Sequence, residues 1–356
     1  MSSQPEESMK GMSEHNILLQ TRHLWKTCFG DSEAFMDIYF SKKYTPASNI
    51  VRQADGTVVA ATQLLPYVLG MYGKTMPVGY ISGLATLPAY RGKGYASRIL
   101  HEAHHRLADT GALLSFLIPG NEALRDYYRA PRNGAYETVA YRHVAKLELG
   151  EVIHEDLECF PVTENAEMYY KFYLSKLREE TFSLQPSPSD FSAAMDLCRL
   201  EQGQVWVALH RERTVGWAMF VPEDEKHWVL RDIRSTTPSV AASLLQKAQC
   251  TLGCDVVIIE KKAVPSHHVE AQPYAMARVI NAPHFLQQLA QWHPEWNTII
   301  EVANDEALPQ NNGRYALTKG ACHTTQMTPE KIFTPGELAA FAFSQCGMSL
   351  PLMLDE

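Results

Sequence analysis

A short turn rich in glycine and positive charge is the segment of this chain best suited to chemistry. Residues 78–97 read VGYISGLATLPAYRGKGYAS, an apolar run that ends at a proline, followed by two glycines and a helical pattern. Gly92 and Gly94 therefore lie where a strand turns into a helix. The first amide groups of a helix are unpaired and carry the positive end of its dipole, so a phosphate can bind there. Arg91 and Lys93 add positive charge.

Several kinds of phosphate-binding loop share such a turn, and their spacings differ. A Walker loop has Ser or Thr after its lysine to bind the metal, whereas Lys93 precedes Gly94. A dinucleotide-binding fingerprint fits Gly92, Gly94 and Ser97 loosely, but it belongs to the first strand–helix unit of its domain. Several strand-like runs precede this loop, so that class is disfavoured. An ordinary strand-to-helix turn stays open as an alternative.

The residues Arg91-x-x-Gly94-x-Ala96 resemble the pyrophosphate-binding motif of the GCN5-related N-acetyltransferase (GNAT) family. The strand before them is similar to the strand that pairs with acetyl-CoA in that family, and its backbone N–H groups could polarise a thioester carbonyl. The resemblance implies acetyl-CoA as cosubstrate and no metal. It also implies cofactor-binding residues in the strand, the loop and the next two helices, namely Leu84, Ala85, Thr86, Arg91, Gly92, Lys93, Gly94, Tyr95, Ala96, Ser97 and Asn121.

The first 150 residues show the order of elements that is typical of this family. Alternation, helical spacing and turn residues predict a helical start, four strand segments, a helix after the loop, a strand, a second helix and a last strand. The predicted bounds are 24–39, 50–53, 57–65, 67–72, 75–87, 95–109, 112–118, 121–129 and 135–149. We therefore expect a catalytic GNAT domain in residues 1–150.

A tyrosine pair in the second of these helices is placed to take part in the reaction. The resemblance implies that Tyr128 is the general acid. Attack of an amine on a thioester releases a thiolate, whose thiol has a pKa of ~8.5, and a nearby phenol with a pKa of ~10 can protonate it. The connection after the helix, Ala130–Asn133, is longer than usual for the family, so Tyr127 stays open for this role. A tyrosine packed in the core is the alternative.

Residues 151–273 repeat the order of elements without the loop. Helical patterns at 169–177 and 192–200 precede strand-like runs at 205–210, 215–221 and 228–233, a helix at 240–252 and a strand at 256–259. The segment before that helix, Arg234–Ser239, has no glycine-rich turn. We therefore predict a second GNAT-like domain that has no cofactor site and forms a wall of the substrate cleft.

Residues 274–356 show a third pattern. Strand-like runs at 275–280, 296–302 and 314–318, helices at 283–292 and 335–343, and an Asn-Asn-Gly turn resemble the C-terminal sterol-carrier-like (SCP2-like) domain of the enhanced-intracellular-survival (Eis) group of GNAT proteins. The resemblance implies a mixed α/β (α+β) fold. It consists of two tandem GNAT-like domains, each a mostly antiparallel sheet flanked by helices, and an SCP2-like domain. It also implies a homo-oligomer.

The sequence ends in an apolar tail, SLPLMLDE, at residues 349–356. In the Eis group the terminal carboxylate enters the active site, so the resemblance implies that Glu356 provides the general base. An α-carboxylate of pKa ~3.5 is a weak base for an ammonium of pKa ~10, so burial, proximity or a water relay must assist it. A tail packed on its own domain is the alternative. The side chains of Asp355 and Glu356 could instead attract a cation.

A second motif belongs to a different class of enzyme. Residues 101–105, HEAHH, fit the His-Glu-x-x-His pattern of zinc proteases. The helix that carries them follows the glycine-rich loop directly, and its apolar stripe runs through other positions. We therefore expect His101 and His105 on the solvent side and no metal site.

Composition excludes several classes of protein. The chain has 46% hydrophobic and 20% charged residues and a net charge of −8, which is typical of a soluble globular protein and argues against a nucleic-acid surface. No apolar run approaches the ~20 residues that span a bilayer. The seven cysteines have no metal-site spacing, and without a secretory signal they indicate a cytoplasmic protein.

The expected function is acetyl-CoA-dependent transfer of an acetyl group to a small-molecule primary amine. The acidic composition is compatible with a cationic acceptor, and aminoglycosides, polyamines and lysine-like amines all stay open. The amine would attack directly in a ternary complex, since no Cys or Ser stands in an activated arrangement. The alternative is a non-catalytic sensor or scaffold that binds acetyl-CoA or a lipid.

Overall fold

The computed structural model describes residues 13–146, 156–162, 164–224, 227–253, 255–262, 271–344 and 348–350. The elements of the first range follow the predicted order. They are α1 (Glu14–Phe29), α2 (Glu33–Lys42), β1 (Asn49–Ala54), β2 (Thr57–Met71), β3 (Lys74–Thr86), α3 (Tyr95–Asp109), β4 (Leu114–Leu117), α4 (Glu122–Arg129) and β5 (Glu137–Lys146).

The rest of the chain adds helices and strands of similar length. Residues 156–262 contain β6 (Glu158–Val162), α5 (Tyr170–Leu177), β7 (Phe182–Gln185), α6 (Pro188–Leu200), β8 (Gln204–His210), β9 (Arg213–Pro222), β10 (His227–Ser235), α7 (Pro238–Leu252) and β11 (Asp255–Lys262). Residues 271–350 contain β12 (Ala271–Val279), α8 (Ala282–Trp292), β13 (Asn297–Val302), β14 (Gly313–Thr318), β15 (Ala321–Thr324), β16 (Lys331–Phe333), α9 (Pro335–Ser344) and β17 (Met348–Ser349).

Two predicted boundaries in the first range were wrong. The predicted helix 24–39 is two helices, because Gly30 ends α1 in a left-handed conformation with φ of 78° and Ser32 then caps α2. The predicted strands 57–65 and 67–72 are one strand, β2. Pro66 does not break it because it lies between the residues of β2 that pair with β1 and those that pair with β7.

One large sheet contains strands from every part of the described chain. Its order is β17-β7-β2-β3-β4-β12-β5-β11-β10-β9-β8-β6, with β1 paired to β2. Strand β12 lies between β4 and β5 and is antiparallel to both. A separate four-stranded sheet has the order β15-β14-β13-β16. Helices flank these sheets, so the mixed α/β fold predicted from the sequence is confirmed. Within the described residues, no helix combines the length and apolarity needed to cross a membrane.

Buried polar contacts connect β12 to the domain around the glycine-rich loop. The side chain of Arg278 is fully buried and donates to Asp305 Oδ2 at 2.5 Å and to the carbonyl oxygen of Gly134 at 2.9 Å. A buried charge of this kind is tolerated only when it is paired and hydrogen-bonded. Arg278 therefore ties the connection between α4 and β5, which contains Gly134, to β12 and to the segment that carries Asp305.

Helix α2 is joined to α6 by lysines. Lys43 directly follows α2, and its buried ammonium contacts Asp190 and donates to the hydroxyl of Tyr67 at 2.9 Å. The Lys42 ammonium lies 2.8 Å from Asp196. Both aspartates belong to α6, so these pairs set the position of that helix against the first part of the chain.

Candidate active site

Strands β3 and β4 separate after a short pairing, and a cavity opens between them. They pair in parallel only at Val78–Tyr80 with Leu114–Phe116, although β3 continues to Thr86. The cavity has a volume of about 1370 Å³ and is lined by the diverging strands, the glycine-rich loop, the start of α3 and one side of α4. This exceeds the ~300–1,000 Å³ of most small-molecule sites, so a ligand of the size of a nucleotide cofactor and a second molecule can share it.

A bulge deforms β3 where it lines the cavity. The pairs Ala61–Ala85 and Gln63–Ser82 leave Gly83 and Leu84 opposite one residue of β2. Gly83 has φ of 61°, and a Cβ there would lie 1.9 Å from the ring of Trp25. Only glycine fits this position. A bulge interrupts the ladder of hydrogen bonds, so backbone groups of β3 become available to a ligand beside the strand.

The glycine-rich loop leaves the start of α3 open. Gly94 is the residue before the helix and has φ of 77°, and no side chain caps the helix. A Cβ at Gly92 would meet no atom within 4 Å, and one at Gly94 would meet only Arg98 Nη1 at 3.5 Å. The unpaired amide groups of the first helical turn are therefore accessible to an anion.

The two cations of the loop make different contacts. Arg91 Nε donates to the carbonyl oxygen of Thr86 at 3.1 Å, which ties the loop to the end of β3. Lys93 Nζ lies 4.8 Å from the centre of the Tyr90 ring. Arg91 lines the cavity and Lys93 does not.

Most residues proposed from the sequence meet at this cavity. Its wall contains Leu84, Ala85, Thr86, Arg91, Gly92, Gly94, Tyr95, Ala96, Ser97, Asn121, Tyr127 and Tyr128. Asn121 also caps α4, since its Oδ1 accepts a hydrogen bond from the backbone N–H of Leu124 at 3.0 Å. Glu356 and Asp355 lie outside the described residues.

The two tyrosines of α4 differ in their hydroxyl contacts. The Tyr127 hydroxyl lies 3.1 Å from Ser97 Oγ in the first turn of α3. Tyr128 is 7% exposed, and its hydroxyl makes no hydrogen bond with any described residue. Burial, then the neighbouring Tyr127 and Tyr136, raise the pKa of the Tyr128 phenol above its ordinary value. The phenol therefore holds its proton at neutral pH while it faces the cavity.

Residues that the sequence did not single out form another part of the cavity wall. They come from the end of α1, the turn between α1 and α2, the start of α2 and the residue after α6, and they include Trp25, Phe29, Asp31, Phe35 and Glu201. Asp31 Oδ2 accepts a hydrogen bond from Trp25 Nε1 at 2.6 Å, and Glu201 Oε2 lies 3.4 Å from Arg231 Nη2. No local motif marks these residues, because only the packing of α1, α2 and α6 brings them to the cavity.

The histidines of α3 have separate surroundings. His105 is exposed and His101 is half-buried, with Nε2 3.0 Å from the carbonyl oxygen of Arg132. His104 is fully buried, and its Nε2 lies 2.9 Å from the Tyr136 hydroxyl, which in turn contacts Ser115 Oγ at 2.7 Å. In the part of the chain that the structure describes, no group of His, Cys, Asp or Glu side chains could hold a metal ion.

Comparison with known proteins identifies the domain that carries the cavity. The family model described as an acetyltransferase (GNAT) domain matches residues 14–130. These residues include β3, the glycine-rich loop, α3 and α4, so the cavity is formed largely by a GNAT acetyltransferase domain. No curated protein matches the sequence.

Solved structures share the fold over nearly the whole chain. A GCN5-related N-acetyltransferase from Anabaena variabilis ATCC 29413 is 18% identical with a TM-score of 0.75, and the match covers 93% of this chain and 88% of that one. A probable N-acyltransferase from Enterococcus faecalis V583 is 15% identical with a TM-score of 0.75, covering 95% and 92%. Eis1 from Mycobacterium abscessus is 12% identical with a TM-score of 0.71, covering 92% and 87%. At these identities the similarity shows the fold alone.

Proposed function

We propose that this protein is an acetyl-CoA-dependent N-acetyltransferase that transfers the acetyl group to a small-molecule primary amine. The observation that supports it best is one cavity that combines an uncapped helix start, a bulged strand and a buried tyrosine whose hydroxyl has no hydrogen-bond partner among the described residues. The first of these binds phosphate, the second offers backbone groups to a thioester, and the third can supply a proton.

The residues present fit acetyl-CoA. The amide groups after Gly92 and Gly94 would bind the pyrophosphate, as an open helix start does for phosphates in general. Backbone groups beside the bulge at Gly83 and Leu84 would hold the pantetheine arm and the thioester carbonyl. Bound there, acetyl-CoA supplies an activated acetyl group.

The acceptor would bind at the wall formed by α1, α2 and α6. Asp31 and Glu201 provide carboxylates, and Trp25, Phe29 and Phe35 provide aromatic surface. Carboxylates and aromatic faces both attract ammonium groups. This wall therefore favours a cationic amine such as a polyamine, an aminoglycoside or a lysine-like side chain.

Tyr128 would act as the general acid. Direct attack by the amine releases a thiolate and a proton, and a buried phenol can give its proton to the sulfur. Because burial raises the pKa of Tyr128, donation to an ordinary thiolate is unfavourable in energy. A desolvated thiolate is a stronger base than one in water, so the enclosed cavity assists the transfer.

We further propose that the C-terminal carboxylate of Glu356 removes a proton from the amine. Leu350, the last described residue, is 3% exposed and packs in the main core, which would anchor the tail near its end. Extension of the chain beyond Glu356 by a few residues tests this proposal. An unchanged rate would exclude the terminal carboxylate and leave a water relay.

The three-part layout of the Eis group is part of the same proposal. Its domains would be 1–150, 151–273 and 274–356, with an SCP2-like domain last. The separate sheet β15-β14-β13-β16 supports an additional unit at the C-terminal side. The homo-oligomer and the cytoplasmic location also remain proposals, and size-exclusion chromatography with light scattering tests the first.

Two measurements test the function. Calorimetry with acetyl-CoA should show one binding site per chain, and a thiol-release assay over a panel of amines should then show turnover with cationic acceptors. Binding without thiol release from any amine would favour the sensor or scaffold alternative. The absence of binding would exclude the transferase and a sensor of acetyl-CoA, and would leave a scaffold that binds a lipid.

A further inference from the structure

The connection between α4 and β5 is held rigidly against the start of α3. A 3-10 turn spans Pro131–Asn133, and the buried Asn133 makes two hydrogen bonds. Its Oδ1 accepts from Ser97 Oγ at 2.6 Å, and its Nδ2 donates to the carbonyl oxygen of Tyr127 at 2.8 Å. His101 Nε2 lies 3.0 Å from the carbonyl oxygen of Arg132. The backbone that carries Arg132 is therefore fixed beside the first two turns of α3.

This connection brings an additional cation to the cavity. Arg132 is exposed and lines the cavity together with Gly92, Gly94 and Ser97. Among the described residues, no carboxylate pairs with its guanidinium. The preceding arginines on α4 are used differently, since Arg125 pairs with Glu122 and Arg129 with Glu137 and Asp126. Arg132 thus offers an unused charge at the phosphate-binding end.

The proposed cosubstrate has one phosphate that the helix start does not account for. Coenzyme A has a pyrophosphate, assigned above to the amides of α3, and a further phosphate on the 3′ position of its ribose. A phosphate monoester carries up to two negative charges and matches the planar fork of a guanidinium. Arg91 is tied to the Thr86 carbonyl and Lys93 lies over Tyr90, which leaves Arg132 as the best-placed partner on the wall.

We propose that Arg132 binds the 3′-phosphate of coenzyme A and makes the protein select CoA thioesters over their 3′-dephospho forms. The inference rests on the proposed function. The longer connection after α4 then contributes to specificity, because it places Arg132 at the cavity, and neither the glycine-rich loop nor α3 supplies such a side chain.

The test compares the affinities for CoA and 3′-dephospho-CoA by calorimetry with the full chain. Charge-assisted hydrogen bonds to phosphate predict that the unaltered protein binds CoA on the order of tenfold more tightly. In Arg132→Gln this ratio should fall to near one while the affinity for 3′-dephospho-CoA stays unchanged. Thermal unfolding of the variant verifies that it is folded.

Arg98→Gln is the matched control. Arg98 is an exposed cation in the first turn of α3 that lies over the Tyr95 ring and does not line the cavity. The ratio should persist in this variant. The assignment is wrong if Arg132→Gln still binds CoA more tightly than 3′-dephospho-CoA by the same ratio, or if it weakens the binding of both ligands equally. It is also wrong if the ratio falls to near one in Arg98→Gln instead. If the unaltered protein binds neither ligand, the proposed function itself fails, and the assignment fails with it.

Discussion

Two strand–helix junctions in this molecule have the same architecture and different chemistry. The first joins β3 to α3, and the second joins β10 to α7. Strand β3 pairs in parallel with β4 over three residues, and β10 pairs in parallel with β11 over four. Each strand has a shifted register against its antiparallel neighbour, and each is followed by a helix of 15 residues. Topology alone therefore does not create a ligand site.

The difference lies in what occupies the helix start. Helix α3 begins after Gly94 without a side-chain cap. Helix α7 begins after Thr237, whose hydroxyl accepts a hydrogen bond from the N–H of Val240 at 3.2 Å, and Pro238 removes a further donor. The backbone N–H groups at the start of α3 are therefore open to a phosphate. At the start of α7, one of the corresponding N–H groups is hydrogen-bonded to Thr237 and another is missing at Pro238.

Charged side chains also fill the second junction. Arg234 lies 2.9 Å from Asp232 and 2.6 Å from Glu180, and the Tyr173 hydroxyl donates to Asp232 at 2.6 Å. The corresponding stretch of β3 contains Gly83, Leu84 and Ala85 and borders open space. The junction between β10 and α7 is filled by paired charges that stabilise the fold, whereas the junction between β3 and α3 leaves space for a ligand.

The largest expected effect is on stability, at the junction between β10 and α7. Asp232→Ala leaves the buried guanidinium of Arg234 with fewer partners, so we expect a loss of about 3–5 kcal/mol in the free energy of unfolding. Asp196→Ala is the control, because Asp196 pairs with Lys42 and Arg199 at a more exposed site and should cost about 0–1 kcal/mol. Urea unfolding measures both. Similar small losses in the two variants would show that the second junction is not a structural core.

At the junction between β3 and α3, the largest expected effect is on turnover. Tyr128→Phe removes the proposed acid, and general acid catalysis typically contributes about 10²–10⁴-fold, so kcat should fall by a factor in that range while acetyl-CoA binding stays unchanged. Tyr127→Phe is the matched variant and should retain more activity. Full turnover by the Tyr128→Phe protein, or a larger loss in Tyr127→Phe, would remove Tyr128 from this role.

Closure of the loop should reduce affinity. Gly92→Val places a branched side chain where the backbone must approach the pyrophosphate, and we expect acetyl-CoA binding to weaken on the order of 100-fold. Gly111→Val is the control, since Gly111 has φ of 74° against 76° for Gly92 and equally open space, but lies at the far end of α3. Both variants suffer the same backbone strain. Equal affinity in the two, measured by calorimetry, would contradict a phosphate site at the loop.

A smaller effect concerns the pH dependence of stability, which we attribute to the buried His104 of α3. Burial, then the charge of Arg278 and the neighbouring His101 and His105, hold the pKa of His104 well below its ordinary value. Below about pH 6.5 the unfolded chain binds a proton at this histidine and the folded chain does not, so stability should fall by up to about 1.4 kcal/mol per pH unit as pH decreases.

Urea unfolding between pH 5 and 8 measures this dependence. His104→Gln should remove part of the slope, whereas the control variant His105→Gln, at an exposed position of the same helix, should retain it. A slope that is the same in the unaltered protein and in His104→Gln would be evidence against a neutral buried His104.

The smallest expected effect is at the cap of α7. Thr237→Ala should cost about 1 kcal/mol of stability, as loss of a helix cap does elsewhere, and should leave acetyl-CoA affinity unchanged. Thr251→Ala, at the C-terminal end of the same helix, is the control and should cost less. A change of acetyl-CoA affinity in Thr237→Ala would mean that the second junction takes part in binding.

Much of the fold could be predicted because its signals are local. The bounds of α3, α7 and α8 differ from the predicted ones by few residues, since helical spacing and capping residues lie within the segments themselves. Short strands such as β7 and β15 were missed. These four-residue strands show no periodicity and, unlike β4, do not lie in a longer apolar run, so pairing partners far along the chain determine whether they form.

The sequence by itself determined the glycine-rich end of the candidate site, which we propose binds phosphate. Gly92, Gly94 and the helical pattern after them form a site from consecutive residues, because the amides of one helix turn converge without help from elsewhere. The tertiary structure alone decided the rest of the cavity. Asp31, Glu201 and Arg132 are distant in sequence from one another, and they line one cavity only because buried pairs such as Lys43 with Asp190 and Arg278 with Asp305 fix the elements that carry them.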